Sequence, residues 1–430
     1  MRKFIFNTTL LINGFSIKKA RGRLEKYRSQ SPEELLARRD RIVDYHLKHN
    51  ALYKKLAGNR KIQKFEDLPV ITKQDFQAPL PEIISDTFKP GGLYVANTSG
   101  SSGHPFFYAK NKESHSNTHY IAQQLYARLG ITPADKQARF YGIPARGSAR
   151  LKEKIKDALS NRIRFPVFDL SDQKLGEYLD KFKKVRFDYV YGYTSAIVAF
   201  AKYLGEKGIV LKSVCQSLKC CIVTSEMCIP EDRKLIEESF GVRVFNEYGC
   251  SEVGIIALEN EDGIWEMTTS DCYYEVVDSD NKSLPYGSQG MMLITSLSNL
   301  AMPFIRYQIG DIGAIEPFGN GLKLIRLTGR VNDMVKLPGG RTAAGLTFYY
   351  ISRSILENNS NISEFVVRQT SIDTFVFDVV SKQPLSPSEI RFLQEQMDLY
   401  LEPGLRLEIN QVDRIARPSS GKIKHFYSEL

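Results

Sequence analysis

The sequence passes from a short apolar run at residues 92–96 directly into a segment of hydroxyl and glycine residues at 98–105. Glycine has no side chain to block close approach, so such a segment can fold tightly and place its hydroxyl and amide groups around a phosphate. The candidate phosphate-binding residues are Thr98, Ser99, Gly100, Ser101, Ser102 and Gly103.

Taken alone, this segment has a second interpretation, because Ser/Gly runs are also typical of flexible loops. It is not a Walker loop, since no Lys-Ser or Lys-Thr pair follows the second glycine. It also lacks the G-x-G-x-x-G spacing of dinucleotide-binding turns. A phosphate-binding role therefore needs support from the rest of the chain.

Four later segments give that support. An aromatic residue, a turn glycine and a carboxylate occur together at 245–252, a Gly-Asp pair ends 304–311, and 328–336 and 417–423 follow. With the loop, these segments resemble the core motifs of the adenylate-forming superfamily of acyl-CoA ligases, luciferases and peptide-synthetase adenylation domains. Residues 44–56 and 65–73 are similar to its phenylacetate-CoA ligase branch, which includes CapK-like proteins of capsular polysaccharide biosynthesis. The resemblance covers nearly the whole chain.

The resemblance implies a site for ATP and magnesium. Thr98 and its loop would hold the β- and γ-phosphates, and Glu252 would ligate magnesium, which bridges phosphate oxygens. Tyr248 would stack on adenine, and Asp311 would accept hydrogen bonds from both ribose hydroxyls. Family loops often carry Lys where this chain has Phe106. The phosphates would therefore be bound more by backbone and hydroxyl groups than by a lysine side chain. Further nucleotide-binding positions implied are Gly249, Ser251 and Arg330.

The C-terminal motifs imply catalysis and domain movement. Lys422 resembles the lysine that reaches into the site during adenylation, where its ammonium group would bridge the acid and the α-phosphate as charge develops. Asn332 occupies the position of the family hinge, often Asp or Lys, and Asp333 is a second candidate for the pivot. Gly339 and Gly340 would line the tunnel through which the thiol of coenzyme A enters.

Four residues resemble segments that line the acid pocket of the family, namely Tyr141, Tyr191, Tyr193 and Ser225. Their aromatic rings suggest a small aryl or apolar acid. The same rings would also suit a hydrophobic core, so this part of the site is the least constrained by the sequence.

The order of predicted elements indicates an α/β fold with parallel-rich sheets. Residues 113–130 look helical, a strand-like run at 187–192 precedes a helix from 194, and a helix at 230–240 precedes a strand at 242–245. From about residue 262 the pattern changes to short strands and turns, which predicts a β-rich subdomain. The predicted domains are an adenylation core at 1–329 and a small mobile α+β domain at 330–430.

The chain has 430 residues, with 59 Lys and Arg against 49 Asp and Glu, which gives a net charge of +10. A basic balance favours anionic partners, and ATP and coenzyme A are both polyanions. No RNA-binding aromatic signature or zinc-finger spacing occurs, so nucleic acid is not a predicted partner. A basic stretch at 18–28 could rest on an anionic membrane surface or form a solvated helix face.

The cysteines and histidines predict no metal centre. Six cysteines occur without a C-x-x-C pair, which predicts buried free thiols in a cytoplasmic protein. His115 and His119 lie four residues apart on a predicted helix and could share one face, but no third ligand accompanies them. No apolar run approaches the roughly 18 residues of a spanning helix, and no cleavage site follows the N-terminal apolar stretch.

These observations predict an ATP-dependent, AMP-forming ligase that activates a carboxylate as an acyl-adenylate. Coenzyme A is the predicted acceptor, with a role in capsular or surface polysaccharide biosynthesis. An alternative keeps the adenylation and transfers the acyl group to another acceptor, such as an amino sugar. A different class of protein, a catalytically inactive scaffold on the same fold, is a further alternative.

Overall fold

The computed structural model describes residues 2–58, 62–98, 106–142, 148–330, 334–340, 342–344, 361–415 and 426–430. The α-helices of these ranges are α1 (Arg2–Ile12), α2 (Ile17–Leu24), α3 (Pro32–His49), α4 (Ala51–Ala57), α5 (Leu80–Ile83), α6 (Lys112–Arg128), α7 (Ser148–Leu159), α8 (Asp172–Lys184), α9 (Thr194–Glu206), α10 (Leu211–Val214), α11 (Pro230–Phe240) and α12 (Pro387–Tyr400). Short 3₁₀ turns occupy Glu25–Tyr27, Phe65–Asp67, Lys73–Phe76 and Pro90–Gly92.

The strands fall into one large sheet and three small ones. They are β1 (Tyr94–Thr98), β2 (Phe106–Lys110), β3 (Gln137–Phe140), β4 (Arg162–Phe165), β5 (Tyr189–Tyr193), β6 (Cys220–Thr224), β7 (Arg243–Cys250), β8 (Gly254–Glu259), β9 (Trp265–Met267), β10 (Cys272–Val277), β11 (Gly290–Ser296), β12 (Tyr307–Phe318), β13 (Gly321–Arg330), β14 (Met334–Lys336), β15 (Thr342–Ala344), β16 (Ile362–Gln369), β17 (Thr374–Ser381), β18 (Arg406–Gln411) and β19 (Phe426–Ser428).

The large sheet has eleven strands in the order β10-β11-β12-β13-β9-β8-β7-β6-β5-β3-β4. Strands β4, β3, β5, β6 and β7 are parallel, and the pairs β7–β8, β8–β9, β9–β13 and β10–β11 are antiparallel. The predicted β-rich segment therefore continues the parallel sheet as its antiparallel part. Parallel strands leave their carboxyl ends on one edge, where α/β proteins commonly bind ligands.

Helices cover both faces of the parallel strands, as a parallel sheet requires. On one face, a core cluster joins apolar residues of α8, α9 and α11 to strand residues such as Phe140, Val190 and Val223. On the other face, Leu125 and Leu129, from α6 and the residue after it, pack against Tyr189, Cys220, Ile222 and Phe245. The strands are thus held from both sides and present a fixed edge.

Two glycines allow close backbone approach in this sheet. A Cβ atom on Gly192 would lie 2.3 Å from the carbonyl oxygen of Phe140 on the neighbouring strand. A Cβ atom on Gly249 would lie 2.5 Å from the carbonyl oxygen of Gly254, where the register of β7 and β8 shifts. Any larger residue would therefore push these strands apart.

Helix α3 begins with a capped first turn. Ser31 caps α3, with Pro32 in the first turn and a capping box closed by Glu34.

The segment that follows α4 is anchored by Arg306, which is 1% exposed and adopts φ +45°. Its guanidinium group pairs with Glu275 at 3.1 Å and donates to the carbonyl oxygens of Glu66 at 2.6 Å and Leu68 at 3.0 Å.

The chain divides into two compact units whose main segments are Met1–Ile309 and Ala314–Ile325 in one, and Gly310–Gly313, Arg326–Pro418 and Lys422–Leu430 in the other. The second unit contains a four-stranded sheet in the order β18-β17-β16-β19 and the hairpin β14–β15. Its core joins Phe365, Val367 and Phe377 of the sheet to Leu393 and Met397 of α12.

The elements predicted from periodicity are confirmed, including the helix around 113–130, the strand and helix around 187–203 and the helix at 230–240. All six cysteines are free thiols, four of them buried. His115 stacks on Tyr94 with ring centroids 3.6 Å apart, and burial lowers its pKa to about 2. No helix within the described ranges combines the length and the apolar character that a membrane span requires.

Candidate active site

The carboxyl ends of β5, β6 and β7 bring the predicted pocket residues to one edge of the sheet. Tyr193, Thr224 and Glu247 are register partners across these three strands. Tyr141 directly follows β3, and Ser225 directly follows β6. Parallel pairing thus gathers residues that are more than eighty positions apart in the sequence.

Three of the four predicted pocket residues form an aromatic cluster. The ring centroids of Tyr141 and Tyr193 are 4.1 Å apart, and those of Tyr141 and Tyr191 are 6.5 Å apart. Arg139 of β3 lies against this cluster, with its guanidinium carbon 4.5 Å from the ring centre of Tyr141 and 5.0 Å from that of Tyr191. These distances allow cation–π attraction, so the edge combines aromatic surface with a positive charge.

A buried carboxylate lies beside the cluster. Glu247 accepts hydrogen bonds from the hydroxyl groups of Tyr126 at 2.5 Å and Tyr191 at 2.8 Å. Burial raises the pKa of Glu247, although both tyrosine hydroxyls work against that rise. Burial also raises the pKa of Tyr191 well above its usual value, so this phenol keeps its proton and remains a donor.

Ser225, the fourth predicted pocket residue, has an unusual backbone. It is exposed and adopts φ +71°, a left-handed conformation that non-glycine residues rarely adopt. The next residue, Glu226, accepts a hydrogen bond from the amide of Ser195 at 2.7 Å near the start of α9. Strained residues at a sheet edge are common in functional sites, so this outlier is consistent with a pocket rim.

The turn after β7 holds the predicted magnesium ligand. Glu252 is 2% exposed, and its Oε1 accepts a hydrogen bond from the hydroxyl of Tyr307 at 3.0 Å. The Nζ atom of Lys73 lies 3.4 Å from the same oxygen, and the side chain of Lys73 is 38% exposed. The carboxylate is therefore buried on one side and meets a solvent-accessible cation on the other.

Pairing with the start of β12 positions Lys73. The amide of Ile71 donates to the carbonyl oxygen of Arg306 at 3.2 Å, and the amide of Gln308 donates to the carbonyl oxygen of Ile71 at 2.8 Å. Asp75 accepts hydrogen bonds from the amide and hydroxyl of Thr72 at 2.7 and 2.8 Å, which fixes the short 3₁₀ turn that carries Lys73.

The remaining predicted residues of this turn lie between the two carboxylates. Tyr248 is half-buried on β7, Gly249 is exposed at the register shift, and Ser251 is exposed in the turn. Between the buried side chains of Glu247 and Glu252, the chain thus reaches the surface at Gly249 and Ser251.

A magnesium ion fits the donors of this turn. Magnesium in nucleotide enzymes is usually bound by one or two carboxylates together with phosphate oxygens and water. Glu252 supplies one such carboxylate. Within the ranges described, no group of three or more His, Cys, Asp or Glu forms an all-protein metal site. A metal at Glu252 would therefore take most of its ligands from the nucleotide.

The second unit contains other predicted positions. Asp311 is buried on β12, and Arg330 is the last residue of β13. The amide of Gly339 donates to Glu402 at 2.9 Å, and Gly340 adopts φ +76° in the turn after β14. The structure thus places Gly339 and Gly340 in one tight turn, where their backbone is accessible.

Several predicted residues lie outside the described ranges. They are Ser99, Gly100, Ser101, Ser102, Gly103, Asn332, Asp333 and Lys422. Thr98 ends β1, which pairs with β2 in an antiparallel hairpin, so the Ser/Gly segment joins two neighbouring strands.

The sequence did not single out Arg139, Lys73 or Tyr307, which the structure places against predicted site residues. Tyr307 and Lys73 lie in the segments 304–311 and 65–73, which resemble the family. A polar group next to an apolar run in such a segment could have marked both as candidates. No sequence signal pointed to Arg139. A single arginine in a short strand looks like a surface residue until the positions of the neighbouring strands are known.

Comparison with known proteins agrees with the resemblance seen in the motifs. No family model matches the chain. Protein CapK of Staphylococcus aureus is 24% identical over 380 residues, which cover 85% of this chain and 81% of CapK. The phenylacetate-coenzyme A ligase of Pseudomonas putida is 33% identical over 133 residues, which cover 28% of this chain and 29% of that enzyme.

Solved structures share the fold. A 2-hydroxyisobutyryl-CoA ligase in the postadenylation state, in complex with R3-HIB-AMP, superposes with a TM-score of 0.69 at 17% identity, over 94% of this chain and 92% of that chain. The amide bond synthetase McbA from Marinactinospora thermotolerans gives a TM-score of 0.54 at 17% identity, over 77% and 68%. The chain is thus a relative of CapK and the phenylacetate-CoA ligases with the fold of adenylate-forming ligases, as the motifs predict.

Proposed function

We propose that the protein is an ATP-dependent, AMP-forming ligase that activates a carboxylic acid as an acyl-adenylate. The observation that carries this proposal is the buried carboxylate of Glu252, set in the turn after a parallel strand and faced by Lys73. A carboxylate with a neighbouring cation at the carboxyl edge of a parallel sheet suits a magnesium-bound triphosphate. The relationship to CapK and the phenylacetate-CoA ligases supports the same chemistry.

In the first step, an oxygen of the acid attacks the α-phosphorus of ATP, and the bond to the bridging oxygen of the β-phosphate breaks. Pyrophosphate leaves, and the acid becomes a mixed anhydride with AMP. Lys422 would stabilise the charge that develops between the acid and the α-phosphate, while Thr98 and residues 99–103 hold the departing phosphates. A bound magnesium ion would neutralise phosphate charge in this step.

The remaining residues fix the nucleotide and the moving domain. Tyr248 would stack on the adenine, with Gly249 and Ser251 beside it, and Asp311 and Arg330 would hold the ribose. The proposed domains are the adenylation core at 1–329 and the C-terminal domain at 330–430, with the pivot at Asn332 or Asp333.

In the second step, the thiol of coenzyme A attacks the acyl carbon and AMP leaves. The turn at Gly339 and Gly340 supports this proposal, since a backbone without side chains can border a narrow channel. A nitrogen acceptor such as an amino sugar is the second candidate, because an amide bond synthetase shares the fold. We place the reaction in the cytoplasm, where ATP and free thiols are maintained, and in the synthesis of a capsular or surface polysaccharide, as the likeness to CapK suggests.

The test is acid-dependent release of pyrophosphate from ATP and magnesium over a panel of aryl, fatty and hydroxy acids. Lys422→Ala should lower release by about 100- to 1,000-fold. Lys424→Ala, two residues away, serves as the matched control and should leave it unchanged. Acceleration of AMP release by coenzyme A would identify the acceptor, and acceleration by an amino sugar would favour the second candidate.

Two outcomes would contradict the proposal. If no acid on the panel gives release and ATP does not bind, the inactive scaffold is the better description. If release occurs but is equally fast in Lys422→Ala, the proposed role of Lys422 is wrong.

A further inference from the structure

The arginines at the outer parallel strands have unequal partners. Arg164 of β4 pairs with Glu153 at 2.6 Å and Asp157 at 2.8 Å, and Arg162 pairs with Asp157 at 2.5 Å. Arg139 of β3 is the register neighbour of Arg164 but forms no ion pair with any carboxylate in the described ranges. Its Nε is buried and meets no hydrogen-bond acceptor there.

A desolvated guanidinium N–H without an acceptor is costly, at about 1–3 kcal/mol. Aromatic faces and the nearby charge of Glu247 compensate part of the charge of Arg139, but neither supplies a hydrogen bond to its Nε. The hydroxyl of Tyr191 donates its hydrogen bond to Glu247, so it is oriented toward that carboxylate. The Nε atom of Arg139 therefore lacks the in-plane acceptor that an oxygen of a bound acid would supply.

Arg139 lies deeper in the sheet than the residues at its edge. It is the register partner of Tyr191, two residues before the edge residues Tyr141 and Tyr193 on their strands. At about 3.3 Å per residue, this places its backbone roughly 7 Å further into the sheet than the edge. An acid whose reacting carboxylate lies at the edge would extend its other end toward Arg139.

We propose that the acid activated by this enzyme carries an oxygen acceptor at the end distant from its reacting carboxylate, and that Arg139 binds that oxygen. The substrate class is then a hydroxy acid or a dicarboxylic acid, rather than a wholly hydrocarbon acid. This inference rests on the proposed function and narrows it, because aromatic rings alone would suit an apolar acid.

The experiment compares acids that differ only at the distant end. One series is phenylacetate, 4-hydroxyphenylacetate and 4-carboxyphenylacetate, and the other is hexanoate, 6-hydroxyhexanoate and hexanedioate. Calorimetry measures the binding of each acid to the full chain with magnesium and an ATP analogue that has a methylene group between its α- and β-phosphates. Pyrophosphate release from ATP is measured in parallel.

In at least one series, an oxygen-bearing acid should bind about 10- to 100-fold more tightly than its hydrocarbon counterpart. Arg139→Met should bring this ratio close to one. Arg139→Lys keeps the charge but loses the planar donor, and should give an intermediate ratio. Arg243→Met, at an exposed arginine near the opposite end of β7, is the control and should leave the ratio unchanged. Thermal melting shows which variants are folded.

Equal or tighter binding of the hydrocarbon acids overturns the inference. A preference for oxygen-bearing acids that persists in folded Arg139→Met also overturns it, and so does the absence of binding by every acid. Those results leave the proposed ligase standing if any acid releases pyrophosphate. Conversely, an Arg139-dependent preference without pyrophosphate release supports the binding site and counts against the ligase.

Discussion

Two buried carboxylates stand five residues apart on either side of the end of β7, and their surroundings differ. Glu247 lies within the sheet and accepts hydrogen bonds from Tyr126 and Tyr191. Glu252 lies in the following turn, where Tyr307 holds Oε1 and the half-exposed Lys73 approaches the same atom. The first carboxylate takes its hydrogen bonds from neutral hydroxyls and meets Arg139 only through its charge. The second lies 3.4 Å from the ammonium group of Lys73, a cation that a metal could replace.

This difference supports a structural role for Glu247 and the proposed catalytic role for Glu252. A buried polar group whose donors are rigid phenols contributes to packing and is expensive to disturb. An ion pair with a half-exposed lysine is weak, so a buried carboxylate beside such a lysine could exchange it for another cation. The motif at 245–252 thus contains one residue that shapes the sheet edge and one that is suited to chemistry.

The largest expected effect is on catalysis at Glu252. Glu252→Gln keeps the size of the side chain and removes the charge, so pyrophosphate release should fall about 100-fold or more. The melting temperature should change little, because the amide oxygen can still accept from Tyr307. Glu261→Gln, at an exposed glutamate in a nearby turn, should leave both quantities unchanged. Full activity of Glu252→Gln would contradict the proposed catalytic role of Glu252 and with it the contrast with Glu247.

A second prediction concerns His46, another fully enclosed polar group. His46 is 0% exposed, its Nε2 donates to the carbonyl oxygen of Asn299 at 2.9 Å, and burial lowers its pKa to about 4. The unfolded chain takes up a proton near pH 6.5, whereas the folded chain resists it until about pH 4. Stability is therefore lost as pH falls through this window, by up to about 1.4 kcal/mol per pH unit for this group.

His46→Gln should accordingly lessen the decline of unfolding free energy between pH 7 and pH 5, as measured by denaturant titration. His49, one turn later on α3, pairs with Asp86 at the surface, and His49→Gln is the matched control. The same slope in both variants would mean that other groups, such as His115 and His119, dominate the acid sensitivity.

The third prediction applies to the enclosed carboxylate itself. Glu247→Gln leaves Tyr126 and Tyr191 with one good acceptor instead of two, so the free energy of unfolding should fall by about 1–2 kcal/mol. Pyrophosphate release per folded molecule should change less than about tenfold. Unfolding in urea and initial-rate assays on the same preparation measure both. A loss of activity as large as that of Glu252→Gln would show that the two carboxylates act together.

Motif order predicted the relationship to CapK and the phenylacetate-CoA ligases, and the order of helices and strands predicted the fold class. The structure brings Tyr141, Tyr191 and Tyr193 together, while their roles and that of Glu252 stay predictions. The resemblance singled out Glu252 alone, and nothing in the sequence indicated the surroundings of either carboxylate. Their difference depends on Tyr126 and Lys73, which are distant in sequence and reach β7 only through packing. Periodicity reports which residues are buried, but the partners of a buried charge depend on the tertiary structure.

The smallest expected effect concerns Lys73. Its ammonium group competes with any metal for Glu252, and an ion pair with a half-exposed lysine contributes about 0.2–1 kcal/mol. Lys73→Met should therefore lower the half-saturating magnesium concentration for pyrophosphate release by about 1.5- to 5-fold. Lys64→Met, at an exposed lysine of the same segment, should not change it. A higher magnesium requirement in Lys73→Met would instead place Lys73 on the nucleotide itself, where it would supply the positive charge that Phe106 does not.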